Sequence, residues 1–292
     1  MKVGIYGKKF DKLNENAVVE LISKLHNSNI QIAVNESFYQ LIKAKIKLSS
    51  EVTTFSDGKD IQNNIDFLFS LGGDGTLLET LALVKGSGIP ILGINTGRLG
   101  FLSSVSESEI SYAIDSLCTE NYSLDSRTLV ELTTSNKLFG DLNFALNEFT
   151  ILKKDSSSMI TIHSFLNGLF LNSYWADGLI VSTPTGSTAY SLSCGGPIVE
   201  PDCENFIVTP IAPHNLNVRP IIISDKDILT LKVEGRHKNF LVSLDSRFAD
   251  INSDIEMTLQ RAHFQIKLVR LQNQNFHDTL RKKLMWGIDR RN

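Results

Sequence analysis

Long apolar runs are missing from this chain of 292 residues. No stretch approaches the roughly 20 consecutive apolar residues of a membrane-spanning helix, so no membrane partner is expected. An excess of one charge is missing too: 29 Lys and Arg stand against 32 Asp and Glu, a formal net charge of -3. Without a broad basic field nucleic acid is not an expected partner, although local Lys and Arg can still hold a small anion. Cysteine is scarce. Cys118, Cys194 and Cys203 form an odd set without metal-site spacing, and they read as reduced, buried thiols of a cytoplasmic protein. The first residues, Met1-Lys2-Val3-Gly4-Ile5-Tyr6-Gly7, lack a signal-peptide layout and read as a β-strand. Three familiar phosphate-binding signatures are absent as well: the P-loop, the Gly-x-Gly-x-x-Gly fingerprint and the protein-kinase motif set.

What remains is an ordinary globular composition, 42% hydrophobic and 21% charged, long enough for two domains. The first third alternates strand and helix patterns. Lys2–Tyr6, Ile30–Val34, Ile65–Leu71 and Ile89–Ile94 read as strands. Asn16–Leu25 (Val18, Val19, Leu21, Ile22 and Leu25 at helical spacing), Phe38–Ile46, Leu77–Val84 and Glu107–Leu117 read as helices. This alternation predicts a parallel sheet covered by helices, a Rossmann-like α/β domain over residues 1–125. From about Ser126 short apolar runs take over, among them Thr128–Thr133, Phe144–Leu152, Ile160–Leu166, Ile255–Leu259 and Phe264–Val269. Asn167-Gly168 between two of them is a hairpin signal. Residues 126–270 are therefore expected to form an all-β sandwich. A helical tail, 271–292, would pack back on the protein through Phe276, Leu280 and Leu284 on one face of Asn275–Trp286. The cleft between an α/β and a β domain is a preferred ligand site.

Two segments carry chemistry. In Leu71-Gly72-Gly73-Asp74-Gly75-Thr76 a buried strand ends in a glycine-rich turn that holds one carboxylate, and a helix follows. Backbone without side chains approaches a phosphate closely, and the helix start offers free N–H groups to an anion. A lone Asp there binds a metal, accepts a proton from an attacking hydroxyl, or simply forms a tight turn and caps the helix. The second segment, Asp177 to Pro197, places Ser182, Thr183, Thr185, Ser187, Thr188, Ser191 and Tyr190 around a Pro184-Thr185-Gly186 turn. One or two hydroxyls would be helix caps; this many suggest a polar cradle for a phosphate or sugar.

Together these segments, with Asn95-Thr96-Gly97-Arg98-Leu99-Gly100-Phe101-Leu102 and Asn147-Glu148, resemble the NAD kinase family across nearly the whole chain. Gly-Gly-Asp-Gly alone also resembles diacylglycerol kinases and phosphofructokinases; Asn147-Glu148 with Thr183–Tyr190 is the specific part. The resemblance implies phosphorylation of the 2′-hydroxyl of the adenosine ribose of NAD by ATP, giving NADP. It makes Asp74 the proton acceptor, and Gly72, Gly73 and Gly75 the backbone facing donor phosphates. It assigns Asn147, Glu148, Asp177, Ser187, Thr188, Ala189, Tyr190, Ser191, Leu192, Ser193 and Ala212 to dinucleotide binding. Mg²⁺ or Mn²⁺ would travel with ATP, no protein metal site being visible, and a homodimer or homotetramer is expected. Arg98, Lys8 and Lys9 read equally as anion contacts or as structural and surface residues, and His214 as structural.

The chain departs from the family pattern at two places. Trp175 stands where many members carry a basic residue, and Asp245-Ser246-Arg247 where many carry Asp-Gly-Gln. Arg247 is a candidate substitute partner for a phosphate of NAD or of the product. Two other readings stay open: a lipid or sugar kinase with the same turn, and a non-enzymatic sensor of NAD(H) or NADP(H).

Overall fold

The computed structural model describes residues 1–12, 14–46, 48, 51–97, 100–154, 158–236, 239–272 and 274–285. Arg98, Leu99 and Trp286 lie outside the described residues. The chain divides into two compact units, Met1–Ser126 with Ile266–Asn292, and Arg127–Gln265.

The first unit is built on an eight-stranded sheet. Thr53–Phe55, Gln31–Asn35, Lys2–Gly7, Phe67–Leu71 and Ile91–Asn95 lie side by side in that order, each parallel to its neighbours. The chain builds outward from Lys2–Gly7 to one side and then adds Phe67–Leu71 on the other. Such a reversal is where open α/β sheets bind ligands, at the carboxyl ends of the strands. The Gly72–Gly75 turn stands at that end. Phe67–Leu71 and Ile91–Asn95 are buried throughout, which is why they read as continuous apolar runs rather than alternating ones.

Helix Glu15–Asn27 turns Ala17, Val18, Leu21, Ile22 and Leu25 inward. Val19, counted with that face from sequence, is exposed, because neighbouring helical residues point about 100° apart. The helix expected over Phe38–Ile46 spans Glu36–Ile42. It starts earlier because the Asn35 side chain accepts the Phe38 N–H and caps it.

One boundary is corrected. Ile266–Leu271, placed with the β domain by sequence, adds to the first sheet. It runs parallel to Ile91–Asn95, Leu268 opposite Ile91, and Tyr122–Arg127 pairs beyond it. Its Val269 and Leu271 join the first core with Ile110 and Ile114. An alternating pattern identifies a strand but not the sheet that receives it. The closing helix, Phe276–Leu284, follows directly, its N-terminus capped by the Asn275 side chain and Leu280 buried.

The second unit holds two six-stranded sheets. One orders Ile221–Ser224, Asn205–Ile211, Gly178–Ser182, Glu148–Lys153, Asn239–Leu244 and Arg247–Asn252. The other orders Leu169–Ala176, Ile160–Leu166, Leu229–Glu234, Met257–Arg261, Val130–Thr133 and Phe144–Ala145. Phe149, Val181, Phe206, Leu231, Val233 and Phe240 belong to their shared core. Asn167-Gly168 turns the hairpin with φ of 51° and 80°, the positive values a two-residue turn requires. The run Phe144–Leu152 is not one strand: Phe144–Ala145 belongs to one sheet and Glu148–Lys153 to the other, so the chain crosses at Leu146-Asn147.

The cysteines are free but not buried: Cys118, last in helix Ile110–Cys118, is exposed, and Cys194 and Cys203 are partly so. Among the described residues no helix is long and apolar enough to cross a membrane.

Candidate active site

Asp74 is the first residue of helix Asp74–Val84, but its side chain does not cap that helix. The N-cap is Gly73, with no side-chain cap bond. The carboxylate turns instead to the loop that follows Ile91–Asn95. Its Oδ2 accepts the Phe101 N–H at 2.8 Å, and its Oδ1 accepts those of Leu102 at 3.0 Å and Ser103 at 2.9 Å. Two glycines make this possible. Gly72 leaves the strand with φ 147°, and a Cβ there would stand 2.4 Å from the Thr76 hydroxyl oxygen. A Cβ on Gly100 would stand 1.9 Å from Asp74 Oδ1. Three backbone dipoles thus fix a negative group at the positive end of a helix. Among the described residues nothing lies within 4 Å of where a Cβ would stand at Gly73 or Gly75, so bare backbone flanks the carboxylate. Lys283, from the closing helix, puts Nζ 3.4 Å from Asp74 Oδ2.

In the second unit Asp245 organises the crossing at 146–147. Its buried carboxylate accepts the N–H groups of Leu146 at 2.9 Å, Asn147 at 2.8 Å and Glu148 at 3.2 Å. Burial pushes its carboxyl up while these bonds pull it down. Glu148 is buried beside it. The Tyr190 backbone N–H holds its pKa down somewhat, and its Oε2 has no partner among the described residues. Burial, then the Asp245 charge, raises its pKa to about 8. An unpaired buried polar atom is costly, and a donor brought to Oε2 would satisfy it.

Both ATP-NAD kinase domain models match, the N-terminal one over residues 3–122 and the C-terminal one over 146–271. An NAD kinase of Cytophaga hutchinsonii is 51% identical over 293 residues, covering 100% of both chains. One of Flavobacterium psychrophilum is 45% identical at the same coverage. The chain belongs to the NAD kinase family. It is a kinase, built on the two-domain fold of that family. A crystal structure of yeast NADH kinase complexed with NADH superposes with a TM-score of 0.87 at 25% identity, covering 99% of this chain and 88% of that one. An NAD kinase from Archaeoglobus fulgidus in complex with ATP gives 0.74 at 26% identity, covering 98% and 99%.

Within this family frame the other expected residues take definite places. The hydroxyl-rich turn is partly internal scaffolding. Ser187 Oγ accepts the Val199 N–H at 3.1 Å and Ser191 Oγ meets Thr209 Oγ1 at 2.9 Å, both serines fully buried. The Asn147 carbonyl accepts the Thr183 N–H at 2.9 Å, which ties the turn to the crossing. Thr188, Ala189 and Leu192 are half-buried, Ser193 and Ala212 exposed, and Tyr190 is exposed over Glu148. Half-buried Asp177 pairs with Lys153 at 2.6 Å.

Arg247 donates to the carbonyls of Leu142 and Phe144 and lies over the Phe144 ring, 4.0 Å from Asp245. It braces the segment leading into the crossing. Trp175 packs against His214, ring centroids 4.2 Å apart and the planes tilted by 48°. Exposed Lys8 pairs with Glu79, which also accepts the Tyr6 hydroxyl at 2.9 Å. Three contributions escaped sequence reasoning: the Phe101–Ser103 amides, Asp245 as an internal cap, and Lys283. Lys283 left no signal; Gly100 alone marks the amides, and Asp245 stands at the family's own Asp position with two neighbours that differ.

Proposed function

We propose that the chain transfers the terminal phosphoryl group of ATP to the 2′-hydroxyl of the adenosine ribose of NAD, giving NADP and ADP, with Asp74 as proton acceptor. The observation that supports it best is the Asp74 carboxylate, held by three backbone N–H groups at the strand-order reversal, in a chain matched end to end by NAD kinases. Phosphoryl transfer has a loose transition state, so the base orients the hydroxyl and takes its proton late. An ordinary carboxylate suffices if it is fixed in place, and Phe101, Leu102 and Ser103 fix it.

Glu148 Oε2 accepts a ribose hydroxyl of the dinucleotide, and Asn147, Asp177, Thr188 and Tyr190 complete the contacts. The Gly73–Gly75 backbone faces the donor phosphates. Among the described residues no three His, Cys, Asp or Glu stand together as a metal cage. A Mg²⁺ or Mn²⁺ ion enters as part of the metal–ATP substrate, neutralising the phosphates that hold it. The protein works as a homodimer or homotetramer in the cytoplasm, with exposed Leu169, Phe170 and Phe248 as apolar surface for assembly.

The test is NADP formation from Mg-ATP and NAD by purified protein, read through an NADP-specific dehydrogenase. Well-folded protein that binds NAD without making NADP from ATP would support the sensor reading, and transfer to a lipid or sugar the other kinase reading.

A further inference from the structure

The environment of Asp74 holds one donor unlike the others. A carboxylate offers about four acceptor sites. Oδ1 uses two, on Leu102 and Ser103; Oδ2 uses one on Phe101 and one on Lys283. The first three donors are backbone and fixed. The fourth is an ammonium on a flexible stem, with its side chain 32% exposed. While Lys283 stays, no site remains on Asp74 for the proton of a substrate hydroxyl.

The position of Lys283 is built. Gln274 Nε2 donates to the Ser104 carbonyl at 3.0 Å, and Ser104 Oγ donates back to Gln274 Oε1 at 2.9 Å. Phe276 packs on Phe101 with ring centroids 6.3 Å apart. Leu280 anchors the helix in the core. The loop that holds Asp74 and the helix that bears Lys283 are therefore stapled together. Of the basic last turn, Arg281 pairs with Asp278 on its own helix, whereas Lys283 reaches Asp74, its Nζ 4.5 Å from the Phe101 ring centroid. From this one position the ammonium meets both the carboxylate and the ring face.

We propose that Lys283 is a further catalytic residue, whose ammonium leaves Asp74 Oδ2 for the transferring phosphoryl group as the substrate hydroxyl arrives. This rests on the function proposed above. In the step, the 2′-oxygen bonds to the γ-phosphorus as the bond to the β,γ-bridging oxygen breaks. That electron pair leaves with ADP, and the 2′ proton passes to the freed lone pair of Asp74. The ammonium, which starts 3.4 Å from Asp74 Oδ2 and carries three donors, meets the charge spread over the phosphoryl oxygens.

Lys283→Met keeps the apolar stem over Phe101 and removes the charge. It is expected to lower kcat about 10²-fold, as loss of one transition-state donor does, with the KM for NAD and the melting temperature near wild type. Lys283→Arg should recover at least about tenfold of that loss, since it restores a cationic donor. Lys282→Met, one residue earlier, should match wild type. A Met variant with kcat within about threefold of wild type, or an Arg variant no better than Met, overturns the assignment, because one transition-state contact is worth more than that. Wild type that makes no NADP overturns the underlying function instead.

Discussion

A methyl group at Gly100 would stand 1.9 Å from Oδ1 and 2.6 Å from Cγ of Asp74, where ordinary contact begins at 3.4 Å. Gly100→Ala therefore moves the carboxylate without altering it. The three heavy atoms nearest that methyl all belong to the Asp74 carboxylate, so the carboxylate is what must give way. Relief requires Oδ1 to retreat by about 1.5 Å, the difference between those two distances. That breaks its bonds to Leu102 and Ser103. Each is charge-assisted, worth about 1.5–3 kcal/mol when dry, and less here because Asp74 is partly exposed to water. A net loss of about 1–3 kcal/mol follows, or a melting temperature lower by roughly 3–10 °C. Catalysis should suffer more, since a misplacement of about 1 Å at a reacting group costs about 10²-fold in rate. The assay is kcat by coupled NADP formation, beside NAD binding by calorimetry, which should hold because Glu148 and Asp245 are untouched. Gly100→Ala with kcat within about threefold of wild type would refute the claim that this cradle positions the base.

Other outcomes follow from the second unit. Asp245→Ala strips the acceptor from three N–H groups, at about 1–3 kcal/mol for each left unmet. Its denaturation midpoint should fall clearly and its NAD affinity with it; an unchanged midpoint counts against Asp245 as the organiser of the crossing. Glu148 has a folded pKa of about 8, raised from 4.5. Its protonated form thus stabilises the fold fully below about 4.5, and that contribution is lost as pH rises through about 8. Glu148→Gln should remove this slope, so that its melting temperature gains on wild type between about pH 5 and pH 9; parallel curves would show that burial does not hold the proton.

The central strands and most helices were legible because burial on both faces, or on one helical face, writes itself into hydrophobic period. Ile266–Leu271 was recognised as a strand and misplaced, because sheet membership is decided by packing with Ile110 and Ile114, far away in sequence. The crossing inside Phe144–Leu152 stayed hidden because the group that breaks the strand, Asp245, is 97–99 residues downstream. The Asp74 turn was legible through its glycines as a carboxylate at a buried strand's end. Its cradle was not: main-chain N–H groups carry no residue identity, and only Gly100, which must be small, marks them. The hydroxyl-rich turn looked uniform in sequence, yet burial splits it. Ser187 and Ser191 are buried and bonded within the protein, while Tyr190 and Thr188 keep exposed surface. Arg247 shows the same ambiguity, since a guanidinium suits backbone carbonyls as well as phosphate.

The measurement that bears most directly on the central claim is NADP formation from Mg-ATP and NAD by wild type and by Asp74→Asn, with NAD affinity measured on both. The account predicts NADP from wild type, a loss of at least about 10³-fold in kcat in the variant, within the range for removal of a general base, and NAD affinity largely preserved. Turnover near wild type in Asp74→Asn would take the carboxylate out of the chemistry and contradict the account.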